Sequence, residues 1–272
     1  MMPISTPLAD HSFFDLPTDD SEFQLNDFAT RSFRDTADQD YILARMAYRS
    51  RMYPQFLWSG LQAIEKYLKA ILLYNRIPQP RRGLGHRLDR ALELAKKLPF
   101  DMSLSAPSME IIRHLDIYGR FRYLDVSYHV RDRELLKLDK AVWEIRLYCR
   151  VINHAARAAS GQVIDMLPGY LTAIERAKED PSYKLGIPSG VLEKILSKKD
   201  HPARPHLVWK NMFFNSHNRK TTQWRDQMHA VNAPLGLKPD LLEAVRKYVW
   251  LPNEVVVAYE EELKRRQSAK NS

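Results

Sequence analysis

Two stretches of the chain concentrate side chains that could do chemistry. In residues 198–225, Lys198, Lys199, Arg204, Lys210, Arg219, Lys220 and Arg225 alternate with Trp209, Phe213, Phe214 and Trp224. Ammonium and guanidinium groups hold phosphates, and aromatic faces stack on bases, so this mixture suits a single-stranded nucleic acid. The same pattern also describes a helix pair with buried rings and a basic outer face. The second stretch, residues 120–131, places Arg120, Arg122, Asp125, Ser127 and His129 in an irregular run. An imidazole can exchange a proton near neutral pH, and a guanidinium can hold an anion. The plainer reading has Arg122 paired with an acid and His129 capping the helix that follows. His201, His206, His217 and His229 fit no usual zinc spacing and no Cys joins them, so no metal is expected. His86 and His114 read as structural. With no Gly-rich phosphate loop and no Gly-x-Ser-x-Gly, no cofactor is expected either.

These stretches need elements to position them. In residues 56–74, Leu57, Gly60, Leu61, Ile64, Leu68, Ile71 and Leu72 recur at steps of three and four. That period predicts a helix with one apolar face, the wall of a helical core. Glu65 precedes Lys69 by one turn, the favourable order for an ion pair. Further helices are expected over 38–53, 86–98 and 105–118. A long one is expected over 132–159, capped by Asp132 and stopped by Gly161. Its Leu135, Leu138, Val142, Ile145, Cys149, Ile152 and Ala156 form a heptad seam. Beyond Gly161, prolines divide the chain into short helices over 170–178, 189–199, 239–249 and 253–266. The fold class expected is all-α: an acidic flexible arm over 1–35, a helical bundle over 36–160 and a helical, basic C-terminal region over 161–272.

Composition narrows the function. The chain has 272 residues and a net charge of +9. Residues 1–40 hold nine carboxylates and two arginines, which is −7, so the remainder carries +16. A basic body favours an anionic partner such as nucleic acid, and the acidic arm could compete for it from within. A single cysteine, Cys149, excludes an intrachain disulfide. No signal peptide or membrane span is readable, so a cytoplasmic protein without membrane contact is expected.

The run Gln62-Ala63-Ile64-Glu65-Lys66-Tyr67-Leu68-Lys69-Ala70 resembles the Q-A-x-E-K-x-L-K-A helix of HEPN domains. Ala44-Arg45 before it, Gly85 to Leu88 after it, and Arg122-Tyr123 ahead of the last long helix extend the resemblance over about residues 36–160. The resemblance implies an antiparallel helical bundle, usually a homodimer. Many family members are metal-independent endoribonucleases of toxin–antitoxin or antiviral-defence systems, marked by an Arg, four to six residues, then a His. Arg122 and His129 fit at the widest of those spacings. Tyr123 stands where the family usually has a polar residue, and Arg131 where a nucleotidylated toxin carries Tyr. On this resemblance His129 is the acid–base and Arg122 the phosphate clamp. Arg120 assists, and Asp125 or Ser127 orients the imidazole. RNA supplies its own 2′-OH nucleophile, so no metal is needed. Implied partners are RNA or a nucleotide, a second copy, and an antitoxin or regulatory protein. The alternative is a non-enzymatic HEPN module that binds a nucleotide or a partner protein.

Overall fold

The computed structural model describes residues 20–80, 83–121, 124–214 and 227–270. Its centre is the helix read from the apolar period, α3 (Tyr53–Tyr74). Leu57, Gly60, Leu61, Ile64, Leu68, Ile71 and Leu72 are all buried, and so are Ala63, Tyr67 and Ala70 on its other sides. Past its first turn only a narrow stripe, Trp58, Gln62, Lys66, Lys69 and Leu73, stays half-buried, so most of the helix is covered by the bundle. Glu65 is buried too, and ion-pairs with Lys69 at 2.6 Å and with His86 at 2.8 Å. Burial opposes its charge, but hydrogen bonds from Lys69 and His86 outweigh that and hold the carboxyl below its ordinary range.

Around α3 stand α1 (Asp20–Phe28), a π-helical segment (Ala29–Arg34), α2 (Asp35–Arg49), α4 (Leu88–Ala95), α5 (Ala106–Tyr118) and α6 (Arg133–Arg146). The fold class is all-α. Helix α2 returns along α3 through Tyr48 and Phe56, whose rings meet edge-on at 5.2 Å. Two buried charge networks tie α6 to α2. Arg45 ion-pairs with Asp139, which also accepts from Tyr41 Oη at 2.6 Å. Arg146 Nε donates to Asp38 at 2.7 Å.

Helix α5 crosses α3 at Gly119. A Cβ there would meet Leu115 O at 2.7 Å, Leu57 O at 2.9 Å and Leu61 Cβ at 2.9 Å. Two of these are backbone atoms that cannot turn aside. Gly119→Ala is therefore expected to cost about 1–3 kcal/mol by overpacking, read as a lowered Tm. An unchanged Tm would contradict this close approach.

The expected elements differ most from the observed ones in three places. The flexible arm placed at 1–35 overlaps α1 and the π-helical segment, where Ala29 packs on Ala70 and Tyr74, and Arg76 binds Glu22 and Asn26. The helix expected over 132–159 ends at Arg146. There the chain tightens into i→i+3 bonds, Tyr148 N to Ile145 O and Cys149 N to Arg146 O, and unwinds. The heptad residues past that point, Cys149, Ile152 and Ala156, are still buried. Gly161 turns the hairpin between β2 (Ala155–Arg157) and β3 (Val163–Asp165) at φ +82° rather than stopping a helix. The irregular run before α6 contains β1 (Tyr128–Arg131), antiparallel to β4 (Met228–Val231), with His129 opposite Ala230.

In the C-terminal half, α7 (Leu167–Glu179), α8 (Val191–Ser197) and α9 (Arg204–Val208) contribute Ile174, Leu192 and Leu207 to the same core as the bundle. Helices α10 (Pro234–Leu237), α11 (Leu242–Arg246) and α12 (Asn253–Lys270) close a second, smaller cluster around Leu235, Leu242, Val255 and Tyr259. Among the described residues no helix is long and apolar enough to cross a membrane.

Cys149 is fully buried, and burial pushes its thiol up to about 12. At pH 8 almost none of it is thiolate, the reactive form. The native protein is expected to resist iodoacetamide at pH 8 while the unfolded chain reacts quickly. Rapid native alkylation would contradict the burial.

Candidate active site

His129 sits on β1, where side chains alternate between two faces. Tyr128 and Val130 point into the core, and the half-buried His129 takes the other side. That side faces α5. There Ile111, Ile112 and Leu115 form a buried stripe, and His114 and Tyr118 continue it at steps of three and four. The rings of His114 and Tyr118 come within 5.2 and 5.9 Å of the His129 ring. Glu134, in the first turn of α6, is buried and brings Oε2 to 3.5 Å from His114 Nε2. Three elements thus converge on two imidazoles and a carboxyl.

The electrostatics follow from burial. Desolvation, then the neighbouring His129, pushes His114 down to about 4, so it is neutral at pH 7. Desolvation raises Glu134 to about 7 against the opposing pull of the Arg131 backbone N–H and Lys137. The Glu134 carboxyl is therefore protonated part of the time near neutrality.

The other residues singled out by sequence are distributed as follows. Arg122 and Tyr123 lie outside the described residues. Arg120 donates through Nε to Asp116 O at 3.1 Å and lies 3.3 Å from Glu254, so its charge is spent on α5 and α12. Asp125 accepts from Tyr259 Oη through its backbone carbonyl at 2.8 Å, and burial raises its carboxyl. Ser127 Oγ accepts the Ala233 N–H at 2.9 Å. The rings brought to His129 are those of His114 and Tyr118. Asp132 stands at the N-cap of α6 without a capping bond, and its carboxylate meets the Gln227 N–H at 3.3 Å and His229 at 3.1 Å instead.

In the second stretch, Lys198, Lys199 and Lys210 are exposed. Arg204 donates to Leu196 O at 3.3 Å. Trp209 lies under Arg49 at 5.1 Å, and its carbonyl accepts from Arg45. Phe213 stacks on Trp143 at 5.4 Å, and Phe214 is buried against Tyr41. The rings of residues 209–214 thus serve packing, and the three lysines present charge. Arg219, Lys220, Trp224 and Arg225 lie outside the described residues, as does His217. His201 Nδ1 accepts the Ala203 N–H at 3.1 Å, His206 meets Arg49 at 3.1 Å, and His229 stacks on Tyr53 at 4.9 Å.

Sequence reasoning missed His114 and Glu134. The available signal was a histidine at a core position of α5, three residues after Ile111. Nothing in the spacing joins it to residues 129 and 134.

Residues 30–152 match the family model of the HEPN domain, and the rest of the chain lies outside the match. The match takes in α2 to α6 and β1, with His114, His129 and Glu134 inside it. HEPN domains occur in ribonucleases and in nucleotide-binding modules. Neither the curated proteins nor the solved structures yield a significant match to the chain.

Proposed function

We propose that the chain is an RNA-binding protein that cleaves its RNA without a metal, as an effector of the toxin or antiviral-defence kind. The observation that carries this reading is the placement of His129. It leaves the core-facing side of its strand, keeps access to solvent, and sits seven residues after Arg122. In the proposed reaction His129 takes the proton from the 2′-OH. That oxygen attacks the adjacent phosphorus, the bond to the 5′-oxygen breaks, and an acid returns a proton to the leaving oxygen. Arg122 holds the phosphate and opposes the charge gathering on its oxygens. A homodimer would set two such sites across one cleft, and Lys198, Lys199 and Lys210 would attract the strand. HEPN domains often bind RNA and dimerise, which supports both parts.

The test is purified protein on mixed cellular RNA with chelator present. Cleavage by the wild type and none by His129→Ala is the expected result; equal cleavage by both overturns the assignment. A non-enzymatic module that binds a nucleotide or a protein is the second reading. The engagement of Arg120 with Glu254 favours it, because one of the assisting cations is then committed elsewhere.

A further inference from the structure

We propose that His114, His129 and Glu134 form a Zn2+ site whose occupation silences the acid–base histidine. The binding half of this proposal stands on geometry alone. The regulatory half rests on the function proposed for His129.

One ligand atom from each of the three residues lies within 4.8 Å of the others. His114 Nε2 and Glu134 Oε2 are 3.5 Å apart. Tetrahedral Zn2+ with bonds of about 2.0–2.1 Å separates its ligand atoms by roughly 3.3 Å. That edge is therefore nearly formed already. The widest separation closes by about 1.5 Å, within the swing of a half-buried side chain such as His129. Two His and one Glu leave the fourth position of a tetrahedral ion open.

The second observation is that the donor atoms are orphaned. Glu134 is only 5% exposed, yet its Oε2 has no hydrogen-bond partner, and neither has the buried His114 Nε2. Buried polar atoms without partners are rare and call for an explanation. Lys137 faces the group from α6, but its ammonium is ion-paired with Glu110.

Zn2+ here would take the His129 lone pair that proton transfer needs. Binding and catalysis are then mutually exclusive, and the ion is a brake rather than a participant.

The probes are Co2+ and Zn2+ added to protein freed of metal by chelator and then of chelator. The expected result is one Co2+ per chain with the visible absorption of a tetrahedral ion, displaced by Zn2+. Glu134→Gln and His129→Gln should each weaken binding at least tenfold. Glu134→Gln keeps the side-chain shape. Should it misfold, the half-buried His129→Gln decides alone. Binding that is absent, or equally tight in wild type and His129→Gln, overturns the site. For the regulatory half, the ratio of RNA cleavage rates with and without stoichiometric Zn2+ is compared. A ratio far below one in wild type and near one in Glu134→Gln supports it. Zn2+ that binds but leaves wild-type cleavage unaffected overturns it. RNA left uncut in chelator would remove the nuclease reading, and with it the brake, while the Co2+ spectrum still decides the site.

Discussion

Arg146→Met is expected to cost about 3–5 kcal/mol of stability and to lower Tm by roughly 10 °C. Arg146 is 4% exposed at the end of α6 and makes four charge-assisted bonds. Nε and Nη2 donate to Asp38 at 2.7 and 2.8 Å, and Nη1 and Nη2 donate to Glu193 at 2.8 and 2.7 Å. Burial works against its charge, but Asp38 and Glu193 outweigh burial and hold it protonated far above the usual arginine range. Methionine fills the space and removes the charge. Asp38, fully buried, is then left with the Tyr67 hydroxyl at 2.5 Å and the Leu192 N–H at 3.4 Å. An uncompensated buried carboxylate is the main cost. Adding Asp38→Asn to Arg146→Met should therefore recover part of the lost Tm, since neighbours in one network are not additive. A Tm for Arg146→Met close to wild type, or a double variant less stable than the single one, would contradict the network. Glu193 belongs to α8, so the same substitution should loosen that helix first, seen as faster amide exchange over residues 191–197.

The second large effect is on activity. His129→Ala is expected to slow RNA cleavage by about 10²–10⁴-fold, the usual contribution of a positioned acid–base. Stability should fall by no more than about 1 kcal/mol, because the side chain is half-buried and its ring contacts are with His114 and Tyr118, which are themselves only partly buried. RNA affinity should also survive, since phosphate contacts by lysine and arginine carry most of it. His129→Gln keeps polarity without proton exchange near pH 7, so it should be as inactive as the alanine variant. Full activity in the glutamine variant would show that the ring acts by shape and not by its proton.

The sequence made some of this legible for physical reasons. The period of α3 survives because every residue of its apolar face ended inside the bundle. Pro54 and Pro107 fall in the first turns of α3 and α5, as their fixed φ favours. The end of α6 was not legible. Cys149, Ile152 and Ala156 keep the heptad spacing and stay buried in a chain that is no longer helical, so burial alone could not report the backbone. Residues 20–34 read as an arm because acids and scattered aromatics dominate; the anchor, Glu22 to Arg76, joins residues 54 positions apart. Strand β1 is four residues long, and its partner β4 begins about a hundred residues later. The candidate site shared that difficulty. His129 was found from its distance to Arg122, whereas His114 and Glu134 reach it only through the crossing of α5 against β1 and α6.

The central claim is that RNA is cut by its own 2′-OH with His129 as the base. The most direct measurement uses a short RNA containing a mapped cleavage site and the same RNA with one 2′-deoxy sugar at that position, both in chelator. Cleavage of the all-ribose strand, with 2′,3′-cyclic phosphate and 5′-hydroxyl ends, and an intact deoxy strand is the predicted result. A deoxy strand cut at the same place, 3′-hydroxyl ends, or RNA left whole would contradict it.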